Sequence, residues 1–141
     1  MRFFRNPSTD PYYNMSFDEW CLEHPVSDDI VFYLWRNCPS VIIGTTQDAP
    51  TEVNLPYLKE KGILLVRRST GGGAVYHDLN NLNYSFVGPE SRMDSSLVEK
   101  VALGLRSLGV AAEVSGRNDI FVDGHKVSGY AKRIWHDRAI I

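Results

Sequence analysis

Val66-Arg67-Arg68-Ser69-Thr70-Gly71-Gly72-Gly73-Ala74-Val75-Tyr76-His77-Asp78 is the stretch on which the reading of this chain turns. Ile63-Leu64-Leu65-Val66 is a short apolar run of strand formers, and Ala74-Val75-Tyr76 reads as a second strand. The pair predicts a hairpin closed by Ser69, Thr70 and the glycines. One glycine would make a turn. Three in a row strip side chains from the backbone and permit positive φ at each position. Such a segment brings main-chain N–H groups close to a ligand, often an anion. Arg67 and Arg68 place positive charge on one side of it, and His77 and Asp78 stand on the other. A glycine-rich turn with solvated flanks is the plain alternative. Two arginines directly before the loop favour an anion site.

Working outward, 141 residues suffice for one domain with a core. Apolar content of 43% against 23% charged residues predicts a globular chain rather than disorder. A net charge of −2 provides no basic field for nucleic acid, so the cations that matter are local. Cys21 and Cys38 fit neither a metal-ligand spacing nor a disulfide framework. They are expected to be reduced packing residues of a cytoplasmic protein. The N-terminus has no long apolar run of the signal-peptide kind. Nothing in the chain approaches the ~20 apolar residues that span a bilayer, so no membrane association is expected.

Before the loop, Arg2-Phe3-Phe4 suggests a strand, and Asn14 is a plausible N-cap for a helix through about His24. Met15, Phe17, Trp20 and Cys21 form its apolar stripe, and Asp18 and Glu19 favour its dipole. Ile30 to Trp35 reads as a strand buried on both faces, and Val41 to Gly44 as another after a turn. Asn54 and Gly62 bracket a helix. After the loop, Asn83 to Val87 alternates like a strand with one wet face. Leu97, Val101, Leu105 and Leu108 mark the strongest helix, stopped by Gly109. Ala111 to Val114 and Ile120 to Val122 read as strands around a turn at Gly116 to Asp119. Asp123-Gly124 predicts a tight hairpin, with His125 to Ala131 returning antiparallel.

No Walker A motif, His/Cys cluster or Gly-x-Ser-x-Gly elbow is present. What remains handles anions: Arg68, the glycine backbone, Lys126 beside small residues, and polar Asn118 and Asp119. Cations and oriented N–H groups suit phosphoryl chemistry such as adenylation. Mg²⁺ normally shares that charge, with Asp119 a candidate ligand. His77 can be a general base by its pKa or a structural residue of the loop.

Arg67 to Asp78 also resembles the signature loop of the lipoate–protein ligases. Ser115-Gly116-Arg117-Asn118-Asp119-Ile120 with Gly124-His125-Lys126-Val127-Ser128-Gly129 resembles that family's second signature. With the N-terminal stretch and Leu34-Trp35-Arg36-Asn37, the resemblance covers essentially the whole chain. It implies an α/β (α+β) fold: a mixed, largely antiparallel sheet flanked by helices, like the catalytic fold of biotin ligases and class II aminoacyl-tRNA synthetases. It implies activation of lipoate by ATP to lipoyl-AMP. Transfer then follows to a lysine of acceptor domains, those of 2-oxoacid dehydrogenase complexes or of the glycine cleavage H protein. By that resemblance Lys126 contacts the activated carboxyl and α-phosphate. Arg68, Gly73, Ala74, Val75 and Tyr76 bind the acyl-adenylate, beside Asn118 and Asp119. Asn14, Met15, Phe17, Trp35, Ser69 and His77 fall to the lipoyl pocket.

Two departures stand out. Asn80 occupies a position where the family usually has glycine, a substitution that left-handed backbone tolerates for asparagine. The apolar ending Arg138-Ala139-Ile140-Ile141 reads as a cut through structure, making residues 1–141 the N-terminal portion of a catalytic domain. Alternatives are an ATP-independent octanoyl or lipoyl transferase of the same superfamily, which forms a thioester on a cysteine, and an inactive truncated binding fragment. Biotin ligation fits less well, because biotin ligases use a different glycine-rich loop.

Overall fold

The computed structural model describes residues 1–25, 27–116 and 119–141. Strand β1 (Arg2–Arg5) leads into helix α1 (Pro11–Glu23), followed by β2 (Val31–Trp35), β3 (Ser40–Ile43) and two short helices, α2 (Ala49–Glu52) and α3 (Leu55–Lys61). Then come β4 (Leu64–Arg67), β5 (Val75–His77), β6 (Asn83–Pro89), a 3-10 turn at Glu90–Arg92, and α4 (Ser96–Ser107). The chain continues through β7 (Ala112–Ser115), β8 (Asp119–Val122), β9 (His125–Ser128), β10 (Arg133–Trp135) and β11 (Arg138–Ile140).

These strands form three sheets. The largest runs β1-β2-β6-β11-β10, with only the β1–β2 pair parallel. The second runs β4-β3-β5, and the third is the meander β7-β8-β9. The expected hairpin around the glycine loop is therefore absent. β4 and β5 do not pair; β3 lies between them, parallel to β4 and antiparallel to β5. The loop thus arches over the end of β3 and is held by that strand rather than by its own flanks. Thr45 N donates to Thr70 O at 3.0 Å, and Arg68 N to Ile43 O at 2.9 Å.

Local chemistry explains most element ends. Asp10, not Asn14, caps α1: its carboxylate accepts from Tyr12 N and Tyr13 N. Asn14 is a buried residue inside the helix, and Trp20, expected in the apolar stripe, is exposed. The helix has no basic residue in its own last turn. Buried Arg138 from β11 supplies one, donating to Leu22 O at 3.0 Å and Cys21 O at 3.3 Å, where the helix dipole is negative. Asn54 and left-handed Gly62 bracket α3 as their residue types predict. Asp123 and Gly124 both have positive φ, as a two-residue type I′ hairpin requires. A second two-residue hairpin, at His136-Asp137 with positive φ at His136 alone, carries no comparable sequence signal. Asn80 does not adopt the left-handed conformation; its N–H donates to Asp78 Oδ1.

The core follows the large sheet. Cys21 and Leu22 of α1 pack with Val31, Tyr33, Trp35, Val87 and Ile140 on one face. Phe86, Met93, Leu97 and Ala139 fill the other. α4 is shared with the third sheet through Val98, Ala102, Ala112 and Ile120. Ser85 to Gly88 are all buried, so β6 has no wet face over that span. It is a central strand between β2 and β11, covered by α1 on one side and by the start of α4 on the other.

The seat of the glycine loop is tight at one point. A Cβ on Gly44 would lie 2.1 Å from Gly72 O, whereas one on Gly71 would meet nothing within 4 Å. Gly44→Ala is expected to lose about 1–3 kcal/mol of unfolding free energy in urea titration. Gly71→Ala, in open space and without positive φ, is expected to stay within about 0.5 kcal/mol of the parent.

Candidate active site

Two arginines build the loop, and neither points freely outward. Arg67 donates through Nη1 to Gly44 O at 2.8 Å and Gln47 O at 2.6 Å, tying the segment after β3 to the end of β4. Arg68 donates from Nε and Nη2 to Gly71 O (3.2 and 2.8 Å), from Nη2 to Gly73 O (2.8 Å) and from Nη1 to Ile42 O (3.1 Å). Its partners are neutral carbonyls, so its charge is not cancelled. The loop carbonyls turn toward the guanidinium. The amides of Ser69 to Ala74 have no acceptor among the described residues. Only Gly72 of the three glycines needs positive φ. A run of unpaired amides over a retained positive charge suits an anion.

This loop forms one wall of a cavity of about 850 Å³, within the range of small-molecule sites. Facing walls come from Met15 and Asp18 of α1, Trp35 of β2, Ser85 of β6, Lys126 to Ala131, and Ile140. Tyr84 and Ser128 link the large sheet to β9 through their hydroxyls, 3.2 Å apart, and this fixes the strand that carries Lys126. Lys126 Nζ lies 2.7 Å from Asp119 Oδ2. Gly129 lies beside the lysine end, where a Cβ would make ordinary contact with Lys126 Cε and Nζ at 3.7 and 3.8 Å. Cation and amides thus border one cavity.

The deeper wall is a polar network under apolar cover. Trp35 Nε1 donates to Ser85 Oγ (3.0 Å), Ser85 Oγ donates to Asp18 Oδ1 (3.1 Å), and the Tyr33 hydroxyl donates to the same oxygen. Asp18 keeps some surface on the cavity, yet protein encloses it closely. Burial pushes its carboxyl up to about 7, against the Tyr33 and Ser85 hydrogen bonds, which favour the anion. Its neighbour Glu19 differs: burial is outweighed by the nearby Ser69 and by the Arg133 guanidinium, and its pKa is lowered. Through its ion pair with Arg133, Glu19 ties α1 to β10. His77 stands edge-on to Trp35, with ring centroids 6.0 Å apart. Burial, then the charge of Arg68, lowers its pKa against a smaller pull from Asp78.

Of the residues singled out in the sequence, Arg68, Ser69, Gly73, Ala74, Val75, Tyr76, His77, Met15, Trp35 and Lys126 all line this cavity. Asp119 stands behind Lys126 as its ion-pair partner rather than on the wall. Asn118 lies outside the described residues. Asn14 and Phe17 are not wall residues. Asn14 is buried in an amide network, and Phe17 packs edge-on to Phe4 and Tyr33. As for Mg²⁺, no group of three or more His, Cys, Asp or Glu side chains is placed for a metal among the described residues. Asp119 is one carboxylate, already paired with Lys126, so the described residues do not by themselves build a resident Mg²⁺ site. Asp18 and Ser85 escaped notice in the sequence. The spacing of Met15 and Asp18 places them on one helix face, a signal that a dipole reading of Asp18 overlooks.

A sequence model of the lipoyl protein ligase A/B catalytic domain matches residues 10–141. The chain belongs to that family. Lipoate-protein ligase LplJ of Bacillus subtilis (strain 168) is 46% identical over 139 residues, covering 94% of this chain and 41% of LplJ. The chain thus spans less than half of that relative's length. The structure of P. falciparum LipL1 in complex with lipoate superposes with a TM-score of 0.89 at 31% identity, over 99% of this chain and 46% of LipL1. A lipoate-protein ligase A bound with ATP gives 0.83 at 33% identity, over 99% and 63% of the two chains. The bi-partite lipoate protein ligase of Thermoplasma acidophilum, described with its E2 lipoyl domain, gives 0.85 at 34%, over 99% and 58%. In this ligase-family domain the fold is mixed α and β, as the two sequence signatures imply.

Asp18 sets a pH dependence of opposite sign to the usual carboxylate. The folded form holds its proton up to about pH 7, and the unfolded chain releases it near 3.8. The folded state therefore binds more protons between those values, and stability falls as pH rises through that window. Asp18→Asn keeps an acceptor for Tyr33 and Ser85 without the charge. It is expected to match the parent near pH 3, to pull ahead as pH rises through the window from about 4 to 7, and to exceed it at pH 8 by on the order of a few kcal/mol at most, in thermal unfolding across that range.

Proposed function

We propose that this chain carries the adenylation site of an ATP-dependent lipoate–protein ligase. The observation that supports it most is the pairing of one cavity's two borders: the unpaired amides of Ser69 to Ala74, backed by Arg68, and the Lys126 ammonium. A lipoate carboxylate oxygen attacks the α-phosphorus of ATP. The bond from that phosphorus to the bridging oxygen breaks, and pyrophosphate leaves with the electron pair. Negative charge gathers on the α-phosphoryl oxygens, where fixed amides and a lysine stabilise it without reorganising. Mg²⁺ arrives as substrate, in MgATP, held by phosphate oxygens.

The acyl chain lies along Met15, Trp35 and Ile140, where apolar surface is already built. A lysine amine of an acceptor lipoyl domain then attacks the acyl carbonyl, and AMP departs as the leaving group. Acceptors of the kind found in 2-oxoacid dehydrogenase complexes or glycine cleavage H protein fit this step, and the E2 lipoyl domain described with the Thermoplasma ligase supports the first of them. Thioester transfer through this chain's own cysteines fits poorly. Cys21 is buried, with its thiol pushed up to about 11, and neither Cys21 nor Cys38 lines the cavity. His77 is better placed as a wall residue than as a base.

Pyrophosphate release from lipoate and MgATP tests this reading. The parent is expected to turn over. Lys126→Ala is expected to lose at least about a hundredfold in that rate with its circular dichroism unchanged. Undiminished pyrophosphate release by a folded Lys126→Ala variant would remove Lys126 from the mechanism.

A further inference from the structure

A line of three buried or nearly buried asparagines runs behind the cavity wall and ends on His77. Asn6 Nδ2 donates to Asn14 Oδ1 at 2.9 Å, Asn14 Nδ2 donates to Asn37 Oδ1 at 2.8 Å, and Asn37 Nδ2 contacts His77 Nδ1 at 3.1 Å. An amide can usually be turned end for end without offending its neighbours. Here backbone groups, whose donor or acceptor character is fixed, settle each orientation. Ser8 N–H donates to Asn6 Oδ1 at 3.0 Å, so the other end of Asn6 is its NH₂. Asn14 Nδ2 faces two carbonyls, Ser8 O at 3.2 Å and Arg36 O at 3.0 Å, so that end of Asn14 is its NH₂. Turning Asn14 would set oxygen against oxygen at both.

Asn37 then has no choice. The two hydrogens of the Asn14 NH₂ are shared among Ser8 O, Arg36 O and Asn37 Oδ1, and turning Asn37 would set NH₂ against NH₂ at 2.8 Å, so the Asn37 NH₂ points at His77. His77 Nδ1 must be an unprotonated acceptor, and the ring proton of the neutral imidazole resides on Nε2. Nε2 is not among the sealed, partnerless polar atoms of the described residues, and His77 lines the cavity. An imidazolium would set a Nδ1–H against the Asn37 NH₂, two donors face to face. The other groups around the ring act in the same direction or weakly against it. Arg68 repels a second positive charge, Trp35 contributes an apolar edge, and Asp78 alone favours protonation.

We propose that Asn14 and Asn37 are positioning residues that lock His77 as the neutral Nε2–H tautomer, so that His77 offers the cavity a hydrogen-bond donor and not a base. The acceptor it meets is an oxygen or sulfur of the bound acyl-adenylate; this last step rests on the ligase reading above. Asn14 therefore acts on the site without touching ligand. Its burial in α1 serves to carry backbone information from Ser8 and Arg36 to a ring on β5.

Long-range ¹H–¹⁵N correlation spectra of the histidines of the ligand-free protein test the lock without any assumption about substrate. At pH 7, His77 is expected to show a protonated Nε2 and a pyridine-like Nδ1. A Nδ1–H tautomer or an imidazolium there would overturn the proposal. Asn37→Asp is nearly isosteric and replaces the donor by an acceptor. It is expected to move the proton to Nδ1 and raise the His77 titration midpoint by at least about one pH unit. An unchanged tautomer and midpoint in the folded variant would also overturn it. Addition of lipoate with MgATP is expected to shift the Nε2–H proton downfield. Binding that leaves that proton unmoved would overturn the donor role. Absence of any binding, with the Nε2–H signature intact, would instead refute the ligase reading while supporting the lock itself.

Discussion

Arg68 holds its own loop by the carbonyls, and much else in the site depends on that grip. A guanidinium has five N–H groups in a rigid fork, which suits it to several oxygens at once. Here those oxygens belong to Gly71, Gly73 and Ile42. Each charge-assisted bond contributes about 1.5–3 kcal/mol, enough to hold a segment that glycine leaves conformationally loose. Because the acceptors are uncharged, the loop keeps a net positive charge. Gly71 and Gly73 turn their carbonyls to the arginine, and the amides of Ser69 to Ala74 have no acceptor among the described residues. One side chain thus orders the loop and polarises it. A carboxylate partner would order it equally well and cancel the charge.

The three-sheet arrangement sets the loop opposite its counterparts. β3 separates β4 from β5, so the loop between them must cross over the end of β3, and Gly44 gives it space to do so. α1 packs on the large sheet and reaches the strand before the loop through the Tyr12 hydroxyl, which donates to Leu65 O at 3.1 Å. Tyr84 and Ser128 join that sheet to the meander bearing Lys126. The cavity is therefore a junction of all three sheets and one helix. Its phosphate-compatible border lies on loop backbone and lysine. Its acyl-compatible border lies on core side chains, with Asp18 as the acid set among them.

Much of this was legible in the sequence, and the exceptions have physical reasons. Local signals carried far: Asn54 with Gly62 for a helix, and Asp123-Gly124 for a hairpin, hold because capping and turn geometry are decided within a few residues. The glycine loop was recognisable as a stretch of accessible backbone for the same reason, and it does line the cavity. Its flanking strands were misread as partners because pairing is a long-range choice, and β3 won it from β5 as well as β4. Asn14 looked like a cap because asparagine suits caps. Asp10 took that place, and Asn14 found its partners at Asn6, Arg36 and Asn37, which no local pattern reveals. Arg68 was read as a cation for a bound anion, whereas its hydrogen bonds go to backbone carbonyls of the loop and of β3.

The central claim is that the amides from Ser69 to Ala74 form the seat for the activated phosphoryl group. The most direct measurement is an amide ¹H–¹⁵N titration with a non-hydrolysable lipoyl-adenylate analogue. The account predicts saturable downfield shifts concentrated in Ser69 to Ala74. Saturation elsewhere in the cavity with those amides unmoved would contradict it.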